Sequence, residues 1–157
     1  MNQVAEESET HHWHKKFAIA ANNRAWELAE KMRMGDEDQE MLDAAHAAAW
    51  HWRVVGTELH HMRAAMLLAQ VHALLGHGPS AWQLAQVVHR YFLSQKTADW
   101  ELAFSHAIYA HAACIAGQHA IYIDAYAQAQ AAFLAIADAE DKAIVEKTFR
   151  LVPAPSI

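Results

Sequence analysis

The feature that most limits what this chain can fold into is its lack of chain breakers. Its 157 residues include only 5 glycines and 3 prolines. Two of the prolines, Pro153 and Pro155, stand in the last few residues. The remainder is rich in alanine, leucine, glutamine and glutamate, residues that lose little on entering a helix. Helix nearly throughout is therefore the economical reading, and the fold class is predicted to be all-α.

The few breaks are regularly placed: "RMGDEDQ" at 33–39, "GT" at 56–57, "GHGPS" at 76–80, "SQKTAD" at 94–99 and Gly117. With a sixth break at the Asp138 cap, they divide the chain into seven predicted helices. The first is capped by Ser8 or Thr10 and runs to about Met34, with Phe17, Ala21, Trp26, Leu28 and Met32 spaced as a partly buried face. Asp36 followed by Gln39 is a capping-box pattern for the second, which reaches Val55. The third spans Glu58–Leu75. Pro79 suits the opening turn of the fourth, where Ser80 and Gln83 form another capping-box pattern, and this helix ends near Leu93. The fifth covers about 98–116, the sixth about 119–136, and Asp138 caps a seventh over 139–150. Residues 1–150 then form one domain of antiparallel helices, and 151–157 a flexible tail.

Charge and composition remove several functions. A formal net charge of −6, with Lys15–Lys16 the only basic cluster, argues against nucleic acid, which needs clustered Lys and Arg. No apolar run approaches the ~20 residues of a membrane span. The acidic opening "MNQVAEESET" is unlike a signal peptide. Cys114 is the single cysteine, so no intramolecular disulfide forms, and its apolar helical setting marks it as a packing residue. A soluble cytoplasmic protein is expected.

An internal repeat overlies the helices. "LAQVHALLGHGPSAWQLAQ" (68–86) can be laid over "YAHAACIAGQHAIYIDAYAQ" (109–128). Each reads as a helix, a glycine turn and a second helix, at an offset near the period of two-helix repeats. In the first unit Ala69, Gly76 and Ala81 occupy the small-residue positions of the tetratricopeptide pattern, and His72 stands where that pattern has tyrosine. In the second, Tyr122 falls where alanine is expected. Helices one and two make a degenerate first repeat, and helix seven a C-terminal cap, giving an array of three pairs.

The stretches "AHAAAWHWRVVGT" (45–57), "RAAMLLAQVHALLG" (63–76), "DWELAFSHAIYAHAACIAG" (99–117) and "AIADAEDKAIV" (135–145) carry a resemblance. Over residues 37–150 the chain resembles a group of bacterial tetratricopeptide-like proteins to which no activity is attached. His46, His51, Trp52, Gly56 and Thr57 are the most distinctive of the shared residues. The chain departs from the group in its greater alanine and histidine content and in its second repeat. The resemblance implies the fold and leaves function open.

Thirteen histidines suggest a metal site. The repeated spacing of five, His46 with His51 and His106 with His111, does not make one. Residues five apart on a helix are rotated by about 140° net, so they cannot chelate one ion from the same helix. Asp43–His46 and Glu58–His61 have the three-residue spacing of a di-iron motif, but they sit at different levels across the Gly56 turn, with the acids roughly 16 Å apart along the hairpin. His51 and His61 are level, with Glu58 one turn away, and these three are the candidate ligands for a transition metal such as Zn, Ni or Fe. His111 and Asp124 are level across Gly117 and are a candidate pair. His11 and His14 of "HHWH" share a helix face and could collect stray ions.

Catalytic patterns are thin. There is no G-x-S-x-G, no H-E-x-x-H and no phosphate loop, since "GHGPS" lacks the strand and the lysine. Two functions are left. In the first, the chain is a non-enzymatic module that binds a peptide or helix of a protein partner in a concave groove lined by the first helix of each pair. The groove candidates are Asn23, Arg24, Arg63, Met66, Gln70, Phe104 and His111. The alternative is a histidine-based metal or small-ligand binder, with no other cofactor implied. Homodimerisation through the open ends of the array is compatible with either.

Overall fold

The computed structural model describes residues 2–156, and these are all-α: seven helices and, among the described residues, no strand. In chain order they are α1 (Asn2–Ala29), α2 (Glu37–Val55), α3 (Glu58–Leu74), α4 (Gly78–Leu93), α5 (Asp99–Ile115), α6 (His119–Leu134) and α7 (Ala139–Phe149). No described helix is long and apolar enough to cross a membrane.

Six of the seven helices lie close to their predicted limits, and the capping of α7 is as expected: Asp138 Oδ1 accepts from Glu140 N and Asp141 N, both at 2.9 Å. Three local expectations are corrected. α1 begins at Asn2 and runs straight through Ser8 and Thr10. It also stops at Ala29, so Met32 lies beyond it, 89 % exposed, and Phe17 is half exposed. Asp36 stands at the N-cap of α2 without a side-chain cap bond: its ψ of 4° is not the extended backbone of a capping residue, and Gln39 Nε2 donates to Asp43 Oδ1 at 2.8 Å rather than completing a box. Ser80 lies inside α4, which starts two residues earlier at Gly78.

The helices form two rows. The odd-numbered helices pack in sequence order, α1 on α3, α3 on α5 and α5 on α7, while each even-numbered helix touches only its chain neighbours. α5 is central, touching α3, α4, α6 and α7, and its almost all-round apolar sequence suits that place. On α4, Ala81, Ala85, Val88 and Phe92 recur at helical spacing and are all buried. They meet Ala69 and Ala73 of α3 and Ala103 and Ala112 of α5 in the main core, where small residues let backbones approach and Phe92, Phe104 and Ile108 fill the space between. Full burial of a side chain such as Phe92 contributes about 1.5–3 kcal/mol.

The turns after α3 and α5 are the same motif. Gly76 and Gly117 have φ of 75° and 72°, the left-handed conformation that glycine reaches without a Cβ clash. In the first turn His77 N donates to His72 O at 2.8 Å and Gly76 N to Ala73 O at 3.1 Å. In the second, Gln118 N donates to Ala113 O at 2.9 Å and Gly117 N to Cys114 O at 3.1 Å.

The flexible tail expected over 151–157 is corrected at its start. Val152 is buried against Ala107, Ala110, Ala125 and Ala129, and the Tyr122 hydroxyl donates to Pro153 O. The bulky Tyr122 in the alanine position of the second repeat is thus accommodated under the returning chain. Ile157 lies outside the described residues.

Candidate functional site

Helical spacing on the odd row builds one hollow. Asn22 and Trp26 lie on successive turns of α1, and Glu30 follows at the same spacing just past its end; Arg63 and Met66 come from α3; Trp100, Glu101 and Phe104 from α5; Ile144 from α7. All four odd helices therefore contribute to a cavity of about 290 Å³. The Trp26 and Phe104 ring centres are 5.7 Å apart, and Trp100 meets Phe104 edge-on at 6.1 Å, so three of the nine lining residues form one aromatic cluster.

Two ion pairs border it: Lys147 Nζ stands 3.6 Å from Glu30 Oε2, and Arg63 meets Glu101. Arg63 Nε donates to Glu101 Oε1 at 2.5 Å and Arg63 Nη2 to Glu101 Oε2 at 3.1 Å, a two-pronged contact between α3 and α5. The Arg63 guanidinium also lies 5.8 Å from the Trp100 ring centre. Glu101 is buried, and a buried carboxylate keeps its charge only beside a partner. The hydrogen bond to Glu101 raises the pKa of the Arg63 guanidinium further. The Arg63 side chain is 42 % exposed and available to a ligand.

Three of the predicted groove residues, Arg63, Met66 and Phe104, line this hollow. The other four do not. Asn23 is exposed and its neighbour Asn22 faces the cavity instead. Arg24 faces α2, where it binds Glu40 at 2.6 Å, and also binds Glu27 of its own helix at 2.9 Å. One residue of error in helical register rotates a side chain by about 100°, which accounts for both. Gln70 and His111 are buried, and among the described residues Gln70 Nε2 and Oε1 and His111 Nδ1 have no hydrogen-bond partner. Burial pushes the His111 pKa down to about 4. Asp124, the expected partner of His111, is exposed and makes no such bond. Trp26, Trp100 and Ile144 were absent from the sequence reading of the groove, although the α1 stripe at 22, 26 and 30 was visible as a four-residue spacing.

The expected metal trio is not assembled. His51 faces α1, with its Nδ1 2.9 Å from His14 Nδ1. His61 Nε2 sits 3.0 Å from Trp52 O, and Glu58 is exposed. Among the described residues no three His, Cys, Asp or Glu side chains converge as a ligand set.

Histidines do converge in twos. Besides His14–His51, His72 Nδ1 lies 3.0 Å from His77 Nδ1, and His89 Nε2 lies 3.1 Å from His106 Nδ1. Tyr109 stacks on His89 with ring centres 3.9 Å apart and planes within 4°. Burial lowers the pKa of His51, His72 and His106, and brings His89 down to about 4. Each pair thus contains at least one imidazole held toward the neutral form, which leaves a ring nitrogen free to accept.

The chain matches no family model, no curated protein and no solved structure.

Proposed function

We propose that the chain is a non-enzymatic binding module that takes a peptide or helix of a protein partner into the hollow on its odd-helix row. The observation that carries this reading is the joint contribution of α1, α3, α5 and α7 to one aromatic-lined cavity. It is also the row that the resemblance to tetratricopeptide-like arrays designates as the concave face. Concave sites with apolar walls and a few fixed polar groups are the usual binding places of proteins, and Trp and Arg carry much of the energy at protein interfaces.

The chemistry of the lining specifies the occupant. Arg63 offsets Glu101 and Lys147 offsets Glu30, so the cavity has little net charge and suits a large apolar side chain such as Leu, Met or Phe. The exposed edge of Arg63 offers donors to a backbone carbonyl or a carboxylate next to that anchor. A helical partner would present its anchors at i, i+3 and i+4.

Selection of peptides from a displayed library of amphipathic sequences, followed by titration of the winners, tests the reading. Ile144 is 49 % exposed at the edge of the cavity, so Ile144→Asp is expected to leave the melting temperature almost unchanged. It should weaken peptide binding at least tenfold by placing a charge at the mouth. Trp100→Ala should do the same by removing the wall. Selected peptides that bind both variants as well as the parent chain would refute the site.

A further inference from the structure

The turn after α3 holds two histidines in a geometry that its counterpart after α5 does without. We infer that His72 and His77 form a bidentate site for a divalent transition-metal ion of the Cu²⁺ or Ni²⁺ type, with His46 beside it.

The two Nδ1 atoms are 3.0 Å apart. Two ring nitrogens facing each other at this separation must share one proton or one cation, since two lone pairs or two N–H groups would repel. A metal about 2.05 Å from each nitrogen would subtend an N–M–N angle of about 95°. That angle suits neighbouring positions of a square-planar or tetragonal ion, whereas a tetrahedral ion prefers nitrogens further apart, about 3.3–3.4 Å.

The site is pre-formed by backbone. His77 N bonds to His72 O, and Gly76 supplies the left-handed residue that closes the turn. Gly78 seats the next residue tightly on the end of α5, where an added Cβ would stand 2.7 Å from Ile115 O. The ligands are therefore fixed before an ion arrives, which lowers the entropy cost of chelation. His46 of α2 brings a third ring 5.8 Å from that of His72, edge to face. His77 and His46 are exposed, so the site can be reached from water.

The histidines are not needed to make the turn. Forty-one residues later the same two backbone bonds form around Ala113 and Gln118. A purely structural reading of His72 and His77 therefore has to explain residues that the fold replaces without loss in its own second copy.

The same comparison supplies the test. His72→Ala with His77→Gln writes the α5–α6 turn into the α3–α4 turn and is expected to fold normally. The full-length chain and this double variant would be titrated with Cu²⁺ alone, reading the electron paramagnetic resonance spectrum and the paramagnetic broadening of backbone amides. In the parent chain the first equivalent should broaden residues 72–78 most and give an axial spectrum with splitting from two imidazole nitrogens. The double variant should lose this and bind at least tenfold more weakly, and His46→Ala should weaken binding about threefold. Ni²⁺ should bind the parent more tightly than Zn²⁺. First-equivalent broadening centred on His11–His14 with residues 72–78 unaffected, or unchanged Cu²⁺ affinity in the double variant, would overturn the assignment.

Discussion

The units at 68–86 and 109–128 share a backbone and differ in what they do with it. Both bury an alanine at the same place, Ala69 and Ala110, and both turn on a left-handed glycine closed by the same pair of hydrogen bonds. Both also bury a polar side chain without a partner, Gln70 in the first and His111 in the second. The differences fall on either side of the turn. The first unit carries His72 and His77 where the second has Ala113 and Gln118, and it buries Ala81 where the second buries Tyr122. What repeats is what the backbone requires; what differs is free to serve a ligand or the end of the array. The second unit is covered by α7 and the returning chain, and Tyr122 bonds to that cover at Pro153 O.

Breaking the second unit at Tyr122 should have the largest effect. Tyr122→Ala removes a buried aromatic ring and its bond to Pro153 O, and is expected to cost about 3 kcal/mol in urea-induced unfolding. Ala81 has no counterpart loss to suffer, so the equivalent position in the first unit contributes little beyond close packing. A loss below about 1 kcal/mol would mean that residues 151–153 do not cover the ring in solution.

The buried polar pair sharpens the comparison through pH. The His111 pKa falls from the ordinary 6.5 to about 4 on folding, so the unfolded chain takes up its proton first as the solution is acidified. The stability this residue allows is fully present above pH 6.5 and is lost between 6.5 and about 4, to the extent of about 3 kcal/mol. His111→Leu should flatten the stability–pH curve in that window. Gln70→Leu has no proton to lose, and should raise stability by about 1 kcal/mol equally at every pH, because it removes an unpaired buried amide. Parallel pH curves for the two variants would contradict the burial of His111.

A smaller effect distinguishes the residues just past the turns. Gly78→Ala would push a Cβ toward Ile115 O and is expected to cost about 2 kcal/mol. His119, which occupies the same place in the second unit, is exposed, and His119→Ala should change thermal stability by less than about 0.5 kcal/mol.

Much of the fold was legible because it depends on near neighbours. The glycine at 117, the aspartate at 138 and the apolar spacing of α4 act within a few residues of themselves, and each operates as its pattern indicates. The start of α1 was missed for the same reason in reverse. Ser8 and Thr10 are competent caps, but a helix with no breaker in its first ten residues continues past them. The site was only half legible. Arg63, Met66 and Phe104 follow from the register of α3 and α5, whereas Asn22 and Trp26 depend on how α1 rotates against α3.

The sequence by itself determined that this is an all-helical chain, where six of its seven helices begin and end, and that one helix–turn–helix unit occurs twice. The tertiary structure alone decided which faces are buried. It turned His51 toward His14, 37 residues away, rather than toward His61, and it buried Gln70 and His111, which do not line the hollow. The reason is physical. Helix propensity and capping act over a single turn, but the direction a side chain faces changes by about 100° per residue and is fixed only when several helices settle their rotations against one another.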